Sequence, residues 1–81
     1  MTQPNDIKRM IEQGMPGARV EVIGDGHHFE ALIVSPDFAG KTMIQQHRMV
    51  YATLGDKMRE EIHALSLRTL TPEEYAATGG A

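Results

Sequence analysis

Two strand-like runs, Phe29–Ser35 and Ile62–Thr69, are separated by a segment carrying two helical patterns, and this spacing constrains the fold more than any other feature of the chain. A hairpin needs only a short turn. A connection that holds two helices can instead return the chain parallel to the strand it left, in a crossover that is normally right-handed. If the two strands are parallel neighbours, both begin at one end of the sheet, and His27 and His28 are drawn towards His63. An antiparallel arrangement would separate them.

The flanking segments extend this plan. Pro4–Gly14 reads as a short helix, with Ile7, Met10 and Ile11 at i, i+3 and i+4, Asn5 or Asp6 able to cap its start, and Gly14 where a left-handed C-cap is usual. Pro16-Gly17 turns the chain. Ala18–Ile23 alternates small or apolar residues with Arg19 and Glu21, the period of a strand with one buried face, and Gly24-Asp25-Gly26 reverses direction. Phe29–Ser35 is apolar at nearly every position past Glu30, which predicts a central strand covered on more than one side. A helix follows Gly40, from Lys41 or Thr42 to Leu54, with Met43, Ile44, Val50, Tyr51 and Leu54 in one stripe that includes His47, and with Gln45, Gln46 and Arg48 off it or at its margin. Gly55 ends that helix, and Asp56 can cap a shorter one reaching about Glu61. Thr71-Pro72-Glu73-Glu74 starts a last helix, with Thr71 as N-cap and Pro72 at the first position. The expected fold is α+β in the order α-β-β-α-α-β-α, one domain over residues 1–81 with fraying at about 1–3 and 77–81.

Size and composition exclude several functions. A chain of 81 residues can bury one modest core but cannot form a deep cleft between lobes. It contains no cysteine, so a disulfide framework, a thiolate nucleophile and a cysteine zinc knuckle are all excluded within it. No Ser-His-acid order, phosphate loop, dinucleotide fingerprint or HExxH is present, and Glu60-Glu61 and Glu73-Glu74 suit solvated faces; the chain is not expected to be an enzyme. A net charge of −3 opposes indiscriminate polyanion binding, although the helix-turn-helix outline leaves Arg48, Lys57 and Arg59 as candidate nucleic-acid contacts. No apolar run approaches the roughly 18 residues of a membrane span, and the first ten residues lack a signal peptide's apolar core, so a cytoplasmic location without membrane contact is expected.

Read from pattern alone, each histidine has an ordinary structural explanation. His63, at a strand start between Ile62 and Leu65, fits a half-buried structural residue, and His27 and His28 fit a polar hairpin tip. Within its apolar stripe, His47 fits a core histidine satisfied by one hydrogen bond. Met10, Met43 and Met58 read as core gap-fillers.

The pieces GDGHHFEALIVS, FAGKTMIQQHRMVYATL and EIHALSLRTLTPEEY, in this order and spacing, resemble the BolA family, closest to its short members, over Val20–Tyr75. That resemblance implies a type II KH-like fold, with helices on one side of a three-stranded mixed sheet. It also implies a partnership with a monothiol glutaredoxin, in which a two-iron two-sulfur cluster is bridged between the proteins with glutathione. His63 matches the position of a family cluster ligand; the second ligand comes from the loop between the first two strands, where this chain offers His27 and His28. No cofactor is expected in the isolated chain, whose free form is expected to be a monomer or weak dimer. Lys41, Arg48 and Arg68 are candidate partner contacts through charge complementarity. Imidazole ligation makes such a cluster acid-sensitive, because free imidazole takes up a proton near about pH 6.5. The family also carries stress-response and transcriptional roles, so a DNA-binding regulator is the alternative. The GxxG loop of RNA-gripping KH domains is absent from the ATLGDKM junction.

Overall fold

The structure is a computed structural model, and it describes residues 2–60, 62 and 64–79, with Arg59 and Glu60 as backbone only. Its elements run α1 (Pro4–Gly14), β1 (Arg19–Gly24), β2 (His28–Val34), a 3-10 turn (Pro36–Phe38), α2 (Met43–Leu54), α3 (Lys57–Glu60), β3 (Ala64–Leu70) and α4 (Pro72–Ala77). The three strands form one mixed sheet in the order β1-β2-β3, with β2 antiparallel to β1 and parallel to β3. The crossover through α2 and α3 therefore joins parallel neighbours.

Local chemistry accounts for the element ends. Thr42 and Thr71 cap α2 and α4: their side chains accept from the backbone N–H of Gln45 and Glu74, whose side chains in turn accept from the cap N–H. The cap of α1 differs from expectation, being Gln3 rather than Asn5 or Asp6; Asp6 supplies the reciprocal half by accepting from the Gln3 N–H at 2.9 Å. Thr2, just before it, is buried.

Strand alternation sorts the sheet into two faces. Val20, Val22, Phe29, Ala31, Ile33, Leu65 and Leu67 face the core, where they meet Ile7 and Ile11 from α1, Met15 at its C-cap, and Val50 and Leu54 from α2, with Phe38 and Ile62 completing the cluster. Phe29, Phe38, Ile7, Ile11, Ile33 and Val50 are its largest fully buried side chains. The opposite face presents Glu21, Ile23, Glu30, Leu32, Ser66 and Arg68 around a shallow depression. At one end of that face, Arg19 lies over the Tyr75 ring of α4 at 5.2 Å from its centroid.

Two expectations about the helices change. Gly14 does not take the left-handed conformation of a C-cap; a Cβ there would lie 2.5 Å from Thr53 Cγ2, so this glycine lets α1 and α2 approach closely. The stripe read along α2 is buried only in part. Only Val50 and Leu54 are buried, whereas Met43, Ile44 and Tyr51 are exposed. The face that meets the sheet includes Gln46, whose amide donates to the Phe38 carbonyl at 3.1 Å and the Lys41 carbonyl at 3.0 Å, and accepts from the Thr69 hydroxyl at 2.6 Å. Met10 and Met58 pack against the core as expected, but Met43 does not. Among the described residues no helix is long and apolar enough to cross a membrane.

Candidate functional site

The Gly24–His28 turn supplies the two described candidate ligands. Asp25 organises it: one carboxylate oxygen, Oδ1, accepts from the backbone N–H of both His27 and His28 at 2.8 Å, while the Asp25 N–H donates to the His28 carbonyl at 3.2 Å. Hydrogen bonds from the His28 and then the His27 backbone hold the Asp25 carboxyl below its ordinary value of 3.8. A Cβ at Gly24 would sit 2.5 Å from Phe29 Cδ1 and 2.6 Å from the His28 carbonyl oxygen, so only glycine lets the turn close this tightly over the core's largest ring. The result is a hydrogen-bonded tip on which both histidines are exposed.

Parallel pairing connects this tip to the start of β3. His28 is in register with Ala64, and the ladder continues from Phe29 opposite Leu65 to Val34 opposite Leu70. Ala64 directly follows His63 in the chain, and His63 itself lies outside the described residues. Along β2, His28 belongs with Glu30 and Leu32 to the face away from the core, on the opposite side of the strand from Phe29. Among the described residues, no group of three or more His, Asp or Glu side chains gathers as a metal site.

The other candidates do not form one patch. Lys41, just before α2, and Arg48, on α2, are exposed on the helical layer. Arg68 is exposed on the opposite side of the sheet, because its neighbour Thr69 is the residue bonded to Gln46 of α2. Lys57 is exposed at the start of α3, which is a single turn of four residues, and the side chain of Arg59 lies outside what the structure describes. His47 is not a core residue. It is half-buried, with its ring edge-on to Tyr51 at 6.5 Å between centroids and 78° between planes. Sequence reasoning treated Asp25 as a turn former only; the Gly-Asp-Gly pattern, in which Asp bonds backbone two or three residues on, was the available sign of its wider role.

The comparisons agree with this geometry. The family model described as BolA-like protein matches residues 9–74. The DNA-binding transcriptional regulator BolA of Haemophilus influenzae is 41% identical over 54 residues, covering 67% of this chain and 52% of that protein; the chain thus spans about half the length of that relative. The acid stress protein IbaG of Escherichia coli K12 is 32% identical over 73 residues, covering 89% of this chain and 87% of IbaG. A solved structure of a BolA protein homologue from Coxiella burnetii superposes with a TM-score of 0.86 at 51% identity, covering 94% of this chain and 99% of the other. These relatives bear the names of a regulator and a stress protein rather than of enzymes. A family match over most of the chain, a relative covered over 87% of its length and a superposition spanning 94% of the chain together establish that the chain belongs to the BolA-like family.

Proposed function

We propose that this chain is a non-enzymatic adaptor that binds a monothiol glutaredoxin and shares with it a bridged two-iron two-sulfur cluster, in iron-sulfur trafficking or in iron- and stress-linked regulation. The observation that carries this reading is the parallel register of β2 and β3, which sets His28 beside Ala64, the residue after His63. The residues present fit such a group in kind. Without cysteine the chain can offer iron only imidazole or carboxylate, and His27 and His28 are exposed on a turn that Asp25 holds through their backbone N–H groups. His63 with either His27 or His28 would hold the cluster from this side; thiolates of the glutaredoxin and glutathione would hold it from the other. When bound, the cluster supplies one-electron chemistry whose potential is raised by imidazole ligation. Lys41, Arg48 and Arg68 are the proposed basic contacts to the partner, and because Arg68 lies on the other side of the sheet from α2, the contact would wrap the edge of β3.

The test is anaerobic reconstitution with a monothiol glutaredoxin and glutathione, read by visible circular dichroism, with wild type and His63→Ala side by side. A spectrum distinct from that of the glutaredoxin homodimer, and lost in the variant, is expected; His27→Ala against His28→Ala then assigns the second ligand. A spectrum identical to that of glutaredoxin alone overturns the reading.

A DNA-binding regulator is the second reading, favoured by the function named for the Haemophilus influenzae relative and by the exposure of Arg48 and Lys57. Arg59 would be the third contact of this reading. Phosphate contacts of this kind require binding that weakens steeply with salt and falls further in Arg48→Ala and Lys57→Ala.

A further inference from the structure

Helix α2 carries more apolar surface than the core uses. Met43 and Ile44 are 69% and 65% exposed, Tyr51 is 37% exposed, and the half-buried His47, one turn after Met43, sets its ring edge-on to Tyr51. At about 100° per residue, these four side chains fall within roughly a quarter to a third of the helix circumference. They form a ridge on one flank. α1 packs on the other flank, where Thr53 meets Gly14, and the sheet-facing positions between the two are Gln46, Val50 and Leu54. Because α1 lies on β1 and α2 on β3, the ridge overhangs the outer side of β3.

That side of β3 is an edge. Among the described residues β3 has β2 as its one strand neighbour, so its outward backbone groups have no ladder. Natural edges are blunted by lysine, proline, bulges or a covering element. The strand ALSLRTL has neither lysine nor proline, and its one charge, Arg68, belongs to the face away from α2. A free edge below an apolar ridge is the arrangement that accepts an added strand.

Charge selects the occupant. From Phe38 to Gly55 the charged residues are Lys41 and Arg48, in a chain whose net charge is −3. Both are exposed, and among the described residues neither forms an ion pair. A symmetric contact between two copies would set each patch against itself, basic against basic, which disfavours a second copy. We infer that the outer edge of β3 and the Met43–Tyr51 ridge form one docking surface for an extended acidic segment of a partner protein. The segment adds a strand to β3, with apolar side chains against Met43, Ile44 and Tyr51 and acidic ones beside Arg68 and, at its ends, Lys41 and Arg48. The surface shares Lys41, Arg48 and Arg68 with the proposed glutaredoxin contact but involves no histidine ligand or iron, so cluster spectra test that reading and peptide binding tests this one.

The probe is a peptide of about ten residues alternating valine and glutamate, long enough to span β3, set against its valine-lysine counterpart and a version N-methylated at alternate residues. Binding to the full chain is followed by amide chemical shifts and hydrogen exchange at low salt. The glutamate peptide should bind at least about tenfold more tightly than the lysine peptide. It should protect amides in Ala64–Leu70 and shift those of Met43–Tyr51, and N-methylation on the pairing edge should abolish binding. Ile44→Glu, at an exposed position, should weaken binding about tenfold with an unchanged far-ultraviolet spectrum, and Lys41→Glu with Arg48→Glu should reverse the preference between the peptides. Several results overturn the inference: no binding by either peptide, equal affinities, or shifts confined to the depression around Ile23. So do self-association through this edge, which would make a second copy the occupant, and a single-stranded oligonucleotide that displaces the glutamate peptide from the same residues.

Discussion

The helices α1 and α2 lie side by side on the same face of the sheet, yet they use their sequences in opposite ways. In α1 the apolar periodic positions are the buried ones: Ile7 and Ile11 have no exposed surface, and Met15 continues the row. In α2 three members of the apparent stripe, Met43, Ile44 and Tyr51, stay in solvent while the polar Gln46 turns inward and bonds three groups on other segments. The difference shows that periodicity reports how amphipathic a helix is, whereas the direction of packing depends on what the neighbouring segments need. Here the Phe38 and Lys41 carbonyls and the Thr69 hydroxyl need polar partners, and one amide serves all three.

Substitution should widen this contrast first. Ile11→Ala should cost about 2–5 kcal/mol, the range for truncating a buried aliphatic side chain, while Ile44→Ala should change stability by no more than about 0.5 kcal/mol, as expected at an exposed site. Urea titration of the two variants checks this directly; similar losses would mean that Ile44 is packed after all. The junction of the helices comes next. Gly14→Ala places a methyl group 2.5 Å from Thr53 Cγ2 and 2.7 Å from its Cβ. The resulting overpacking of about 1–3 kcal/mol should outweigh the roughly 0.5–1 kcal/mol that alanine gains over glycine inside a helix, giving a net loss on thermal unfolding.

Gln46→Ala should cost about 1–2 kcal/mol, because it leaves the Thr69 hydroxyl and two carbonyls without this partner. Amide exchange at the Phe38–Lys41 turn should accelerate in that variant, whereas Gln46→Glu would keep the acceptor for Thr69 and lose both donors. The smallest effect is at the hairpin. Asp25 is held below 3.8, first by the His28 backbone and then by that of His27, so its contribution is present above that pH and disappears as pH falls through the lower folded value. Carboxyl chemical shifts should show a midpoint below 3.8 that Asp25→Asn removes, with loosened amides at His27 and His28 in both the acidified protein and the variant.

Much of the fold was legible because it is written in short-range chemistry. Thr42 and Thr71 sit three residues before Gln45 and Glu74, Pro72 occupies the one helical position that loses nothing by lacking an N–H, and Gly-Asp-Gly marks the reversal between β1 and β2. The cap at Gln3 was less visible, because its partner Asp6 is itself a common cap residue and drew the expected start inward. The role of Gly14 was hidden altogether: its reason is Thr53, far along the chain and brought near only by packing. At the candidate site, the types of residue could be read in advance, and so could the exclusion of thiolate, but the separation of Arg68 from Lys41 and Arg48 could not, since it depends on which side of β3 meets Gln46.

By itself, then, the chain determined its elements, their order, its turn chemistry and the absence of any sulfur ligand other than methionine thioether, because each follows from a residue and its neighbours within a few positions. Tertiary structure alone decided that β2 and β3 pair in parallel with His28 beside Ala64, and that α2 turns Gln46 inward and leaves Met43, Ile44 and Tyr51 in water. Both outcomes are choices among alternatives that local propensity leaves nearly equal in energy. They are settled only when the sheet, both long helices and the Phe38–Lys41 turn must bury one core and satisfy its polar groups at once.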